Sequence, residues 1–177
     1  MKPTIIAIVG ASGSGKTYLS KLLQNELNVF LIVSYTTRPV REGEIEGIDH
    51  YYIATAHRFS RSQMLSYTRF AEYEYFALEE QVPPQTHCAY VVDERGLKYL
   101  KETKSHKFNI VSIRVESTTD TLIERGIAPE RIKRDDERTP LPFDYYDFVI
   151  ENNGTLEEFE NKIRETYKKI QQWQHQK

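Results

Sequence analysis

A chain of 177 residues holds one domain with a sizeable core, and its 39% hydrophobic and 28% charged residues exclude the disordered, collagenous and membrane classes. A net charge of -2 with evenly spread signs speaks against binding polymeric nucleic acid, and the single Cys88 excludes an internal disulfide framework. Met1-Lys2-Pro3 precedes only a short apolar run, too short for a secretory signal or a membrane span, so the expectation is a cytoplasmic protein without membrane association.

Thr4 to Val9 is a nearly continuous apolar run, the pattern of a strand buried on both faces of a parallel sheet, and it runs straight into Gly10. Tyr18, Leu19, Leu22, Leu23 and Leu27 then recur at helical spacing, predicting a helix from near Gly15 to near Asn28. Val29 to Ser34 reads as a second buried strand. Ala89 to Val92, Phe108 to Ile113 and Asp147 to Ile150 have the same character, giving five strands. Helical patterns at Gly96 to Glu102, Thr119 to Glu124 and Leu156 to Trp173 separate or follow them, so the expected architecture is α/β, a parallel sheet covered by helices. Phe159, Ile163, Tyr167 and Ile170 read as the core face of the last helix, and Cys88 as a small buried hydrophobe. The core then comprises residues 1–34, 88–125 and 143–177. Two polar, Arg-bearing or Tyr-rich stretches interrupt it, an insertion at 35–87 and a lid at 126–142. The insertion is expected to contain a short helix from Arg58 to Ser66, with Pro83-Pro84 marking the return to the core.

Gly10-Ala11-Ser12-Gly13-Ser14-Gly15-Lys16-Thr17 satisfies the pattern of glycine, four residues, glycine, lysine, and serine or threonine. A polyphosphate must be wrapped by backbone N–H groups, and side chains beyond Cβ would block that approach, which is why glycine recurs. Lys16 can reach the β- and γ-phosphates, Thr17 can place its hydroxyl on Mg²⁺, and the following helix aims its positive end at the anion. The bland alternative is a glycine-rich turn. The buried strand before the motif and the amphipathic helix after it favour a three-layer P-loop NTPase fold that binds ATP.

Directly after the second strand, the segment from Ser34 to Tyr52 resembles the guanylate kinase signature, through Ser34, Thr36, Thr37, Arg38, Pro39, Arg41, Gly43, Glu44, Gly47 and Asp49. Weaker similarity extends from Thr4 to about Lys169. The resemblance implies a nucleoside monophosphate kinase using ATP and Mg²⁺, with GMP favoured as acceptor, acting as a monomer or homodimer. Apart from the family, Pro39 biases Arg38 away from helical geometry, the Arg38 and Arg41 guanidiniums can converge on one phosphate, and Glu44 can orient an arginine. In isolation the same run reads as a solvated charged loop.

The resemblance further implies that His50 stands at the place of a phosphate-binding tyrosine, with Tyr51 adjacent as a substitute, and that Tyr75 lies on the phosphate side. Asp93 corresponds to a strand-end aspartate for metal or substrate contact, while Val91 replaces a second aspartate. Arg134 aligns with a lid arginine acting on the transferred phosphoryl group, and Arg125 or Arg138 is a second cation; a salt-bridged surface helix explains the same pattern. Asn153, with Asn152, resembles the loop on the adenine side, although caps and turns also explain two asparagines. Lys16, Arg38, Arg41 and Arg134 are thus the expected catalytic groups.

Aligned by Phe70 and Tyr75, Ser66 falls where the family carries a guanine-reading glutamate, and Ala77 where it carries a hydroxyl. Glu72 or Glu74 can supply the carboxylate in another register, and Tyr67, Phe70, Tyr73, Tyr75 and Phe76 can stack a base or serve a core or interface. His57, His87, His106 and His175 show no metal-ligand spacing. Two other readings stand beside the kinase of guanine nucleotides. One is a kinase for another nucleotide or small acceptor; the other is a non-catalytic module that recognises a phosphorylated partner through Arg38 and Arg41.

Overall fold

The computed structural model describes residues 2–84, 86–136 and 139–174; Arg138 and His175 lie outside the described residues. At the centre is β1 (Thr4–Gly10), buried at every position. With β2 (Phe30–Ile32), β7 (His87–Val91), β8 (Asn109–Glu116) and β9 (Phe148–Glu151) it forms a five-stranded sheet in the order β2-β7-β1-β8-β9, with every pairing parallel.

Alternate residues of β1 serve opposite layers. Ile6 and Ile8 pack with Leu19, Leu22 and Leu23 of α1 (Lys16–Leu27) and with Phe159, Ile163, Tyr167 and Ile170 of α5 (Leu156–Gln174). Ile5, Ala7 and Val9 pack with Leu97 and Leu100 of α2 (Glu94–Lys104), and Cys88 belongs to this second layer, fully buried. The apolar periodicity of α1 and α5 therefore marks their core faces, as expected for a helix whose stability comes from burying one stripe. α1 ends where Asn28 adopts left-handed geometry (φ 54°) and its N–H closes onto the Leu23 carbonyl. Among the described residues no helix is long and apolar enough to cross a membrane.

The insertion carries a second sheet. Its strands β3 (Tyr35–Thr36), β4 (Tyr51–Tyr52), β5 (Met64–Phe70) and β6 (Tyr73–Leu78) lie in the order β4-β3-β6-β5. The helix expected from Arg58 to Ser66 does not form. A 3-10 turn at Arg61–Gln63, closed by the Gln63 side chain on the Ser60 N–H, leads directly into β5. Two things decide this. Tyr67, Thr68 and Phe70 suit a pleated surface, and β6 supplies pairing through Ser66↔Ala77, Tyr67↔Phe76 and Thr68↔Tyr75. The hairpin turns at Ala71-Glu72, both with positive φ (48° and 71°), in place of the Asn-Gly or Asp-Gly that usually announces such a turn. The lid stretch holds α4 (Pro129–Asp136), which follows α3 (Thr119–Glu124).

Candidate active site

The glycine motif joins the end of β1 to the start of α1, at the carboxyl end of the parallel sheet. Gly15 has φ 110°, and a Cβ there would lie 2.6 Å from Asn152 Nδ2, so both conformation and space demand glycine. Asn152 is buried and donates from Nδ2 to the Ser14 carbonyl at 2.8 Å, bracing the loop from the end of β9. α1 begins without a side-chain cap and without an acidic residue in its first turn, leaving its positive end available to an anion. Ser14 Oγ is buried without a hydrogen-bond partner in the same loop, and Lys16 Nζ donates to the Ala11 carbonyl at 2.7 Å. This cradle fits a polyphosphate.

One group already exploits it. Ser12 N–H donates to Asp135 Oδ2 of α4 at 2.5 Å, so a carboxylate occupies one amide of the loop. Asp135→Asn is accordingly expected to lower the Kd for ATP by about tenfold, the scale of one charge-assisted hydrogen bond. Isothermal titration of the two proteins at one salt concentration checks this; equal affinities would show that the contact does not compete with nucleotide.

Arg131 and Arg134 of α4 face a cavity of about 290 Å³ whose lining also includes Ser12, Lys16, Arg38 and Arg41. Arg134 lies over the Phe70 ring at 5.3 Å, and its Nε is buried without a hydrogen-bond partner. Arg131 and Arg134 are i and i+3 on one helix and so share a face. Arg131 was not singled out from sequence, though that spacing was its signal. Arg125 is placed elsewhere: its guanidinium donates to Ser117 Oγ at 3.1 Å and to the Asn152 carbonyl and Oδ1 at 2.8 and 3.1 Å. It clamps the β9 end rather than lining this cavity, because it caps the short α3 beside that strand end.

On the opposite wall Arg38, only 6% exposed, makes a bidentate pair with Glu44 at 3.0 and 2.8 Å. Glu44 also accepts the Arg41 N–H and the Tyr52 hydroxyl, each at 2.8 Å. Burial raises the Glu44 pKa, but Arg38, the Arg41 N–H and Tyr52 outweigh it and hold the carboxyl at about 2. Glu44 thus remains ionised and keeps the Arg38 fork in one plane, while the Arg41 side chain stays exposed at the rim. His50 lines the cavity with its Nδ1 2.8 Å from Ser34 Oγ; burial first, then the Arg38 charge, depresses its pKa, so the ring is neutral near pH 7. Tyr75 also lines the cavity.

Tyr51 does not: its ring packs on Tyr35 at 4.9 Å, because alternation along β4 turns it away from the face carrying Tyr52. Asp93 lines the cavity while capping α2, its Oδ1 accepting the Gly96 N–H at 2.7 Å. Thr17 opens on an adjoining cleft with Ser34, Glu44 and His50, whereas Asp93 does not. Gly10 and Ala11 line a further cleft beside Asp135. Asn153 Oδ1 accepts the Thr118 N–H at 2.8 Å and serves the start of α3; its neighbour Asn152 is the asparagine that touches the phosphate loop.

The family model described as guanylate kinase matches residues 1–172. The chain belongs to the guanylate kinase family. It is 28% identical to the guanylate kinase of Protochlamydia amoebophila over 178 residues, covering 90% of this chain and 87% of that protein. Over shorter segments it is 40% identical to that of Helicobacter hepaticus and 42% identical to that of Neisseria gonorrhoeae; these alignments span 28% and 34% of the two relatives. The crystal structure of the Anaplasma phagocytophilum guanylate kinase superposes with a TM-score of 0.66 at 21% identity, covering 98% of this chain and 87% of that one, and it shows the shared fold.

Within this family member, neither alternative carboxylate reaches the cavity. Glu74 accepts the Tyr67 hydroxyl at 2.7 Å, on the face of the hairpin opposite Tyr73 and Tyr75, and Glu72 sits exposed in the turn. The aromatic cluster divides by the same alternation: Phe70, Tyr73 and Tyr75 line the cavity, while Phe76 stacks on Tyr35 at 5.2 Å in the core of the insertion.

Proposed function

We propose that this guanylate kinase family member is a phosphotransferase that moves the γ-phosphate of ATP onto a nucleoside monophosphate, GMP, dGMP or a related one. The observation that carries this is the convergence on one cavity of the phosphate loop, through Ser12 and Lys16, with arginines from two separate insertions, Arg38 and Arg41 from one and Arg131 and Arg134 from the other. A non-catalytic phosphate-binding module needs only one of these clusters.

In this reading the loop amides and Lys16 hold the donor phosphates, and Arg38 and Arg41 hold the acceptor phosphate. Arg134, with Arg131 beside it, neutralises charge that develops between them. Residues 35–87 act as the acceptor-binding insertion and 126–142 as the lid. Mg²⁺ would be held by the Thr17 hydroxyl together with phosphate oxygens and water, the usual manner for this small, hard ion. No group of three or more His, Cys, Asp or Glu side chains suited to a metal occurs among the described residues. The ion would spread negative charge across the transferring phosphate, and Asp93 is placed to accept from water or substrate at the cavity wall. Catalysis then rests on positioning and charge neutralisation, with no covalent enzyme intermediate. Closure of the lid over the cavity would exclude water and suppress hydrolysis of ATP.

The test is ADP release across a panel of monophosphates, in the parent protein and in Arg41→Ala. The variant is expected to raise acceptor KM about tenfold or more, the scale of a lost charge-assisted contact, with little change in KM for ATP. Unchanged acceptor kinetics would remove Arg41 from the acceptor site, and failure to bind MgATP at millimolar concentration would favour the non-catalytic module.

A further inference from the structure

The proposed acceptor site holds one side chain that can change charge in place. His50 is half-buried where the cavity meets the adjoining cleft, and it lines both. Its ring stands edge-on to Tyr52 and to Tyr75, with ring centroids 5.9 and 6.0 Å apart, which holds its plane. Nδ1 lies 2.8 Å from Ser34 Oγ, and Nε2 takes no hydrogen bond among the described residues. A serine hydroxyl both donates and accepts, so Ser34 can serve a bare Nδ1 or an Nδ1–H. The ring can therefore gain or lose a proton without losing its anchor.

The resting surroundings favour the neutral ring. Burial disfavours the imidazolium first and the Arg38 charge second, while Glu44 and Asp49 favour it to a lesser extent. Each nearby carboxylate has a partner: Glu44 pairs with Arg38, Asp49 accepts the Ile45 N–H at 2.9 Å, and Glu46 accepts the Tyr52 N–H at 3.0 Å. Tyr52 stays neutral, because burial and its bond to Glu44 push its pKa up to about 12. Across the cavity and the cleft stand Lys16, Lys21, Arg41, Arg131 and Arg134, with Asp93 as the carboxylate among them. Together these groups carry net positive charge, which a phosphate dianion seated among them offsets.

We infer that His50 is a proton-linked contact for the acceptor phosphate: as the dianion binds, the imidazole takes a proton from solvent and donates to the phosphate from Nε2. Both ring nitrogens then carry hydrogen, Nδ1–H toward Ser34 Oγ and Nε2–H toward a phosphate oxygen, and the contact is charge-assisted. A tyrosine, with an ordinary pKa of about 10, cannot couple binding to a proton near neutral pH. Acceptor affinity therefore strengthens as pH falls from about 8 to about 6, the window in which the free ring is neutral and the bound ring charged. The inference rests on the acceptor site proposed above.

The experiment titrates GMP, and AMP in parallel, into the parent protein and into His50→Gln, whose amide donates but does not titrate. Calorimetry near neutral pH in Pipes and in Tris, which differ in protonation enthalpy, gives the protons taken up on binding. The parent is expected to take up about half a proton more than the variant, and the ratio of variant to parent Kd to fall about tenfold between about pH 6 and about pH 8. The second ionisation of the nucleotide phosphate is common to both proteins and cancels in that comparison. A merely structural role would weaken binding equally at every pH. Should His50→Gln fold poorly, the nitrogen NMR shifts of the His50 ring in the parent decide, moving from the neutral to the cationic pattern when GMP is added. Equal proton counts in a folded variant, or a ring that stays neutral with GMP bound, would overturn the inference. Failure of both nucleotides to bind a protein that binds MgATP would instead overturn the acceptor reading.

Discussion

Lys16→Ala is expected to lower kcat by about 10³ or more, the scale on which a preorganised phosphate contact stabilises the transition state. Lys16 opens α1, and its ammonium rests on the Ala11 carbonyl at 2.7 Å, inside the loop it would leave to reach phosphate. The bond to the Ala11 carbonyl that is lost is partly buried at most, and alanine is the better helix former, so the cost to the fold is expected to be small. The melting temperature should therefore stay within a few degrees of the parent's, about 1 kcal/mol or less. ADP release and thermal melting on the same preparation check both halves. A variant that melts normally and keeps a tenth of the parent's turnover would show that the cradle is not where transfer occurs.

Arg134→Ala is the second large effect. Its guanidinium reaches the cavity from a different element than Arg38 and Arg41, and packing over Phe70 at 5.3 Å aims it without tying up its Nε. In the proposed transfer, a cation presented in this way would act on the charge that develops on the phosphoryl group. The expected loss is about 10³ in kcat, with KM for both substrates within a few-fold of the parent's. Arg131, one helical turn away, keeps positive charge at the cavity when Arg134 is removed, which protects ground-state binding more than the transition state. Arg134→Lys should recover only part of the loss, since an ammonium lacks the planar fork. If Arg134→Ala raised both KM values and spared kcat, Arg134 would be a binding group and another residue would carry the catalytic charge.

The Glu44 network shows how sequence and tertiary structure divide the labour. The short spacing of Arg38, Arg41 and Glu44 made an arginine oriented by Glu44 legible, and the structure realises it within one loop. The third member, Tyr52, had no assignment from sequence, and Tyr51, expected as a stand-in for a phosphate-binding tyrosine, packs on Tyr35. Which of two adjacent tyrosines faces the arginines depends on the register of β4 against β3, and that register is set by pairing, not by the residues themselves. The choice between Asn152 and Asn153, at the end of β9, is of the same kind. Arg131, with no assignment from sequence, lines the cavity and Arg125 does not, because a helix face becomes meaningful only once the helix is docked. In place of the helix expected at Arg58 to Ser66 stand 3-10 turns and the start of β5, because β6 offered that strand partners, and the hairpin's turn lacked the glycine that would have announced it.

The sequence alone determined the phosphate loop, the five core strands and the apolar faces of α1 and α5. Each depends on contiguous residues, where glycine clearance, apolar continuity and helical period act over a few ångströms of chain. Only the tertiary structure decided which side chains share the cavity and that the Asp135 carboxylate of α4 reaches the Ser12 amide. That pair is separated by 123 positions, and helix docking brings it together.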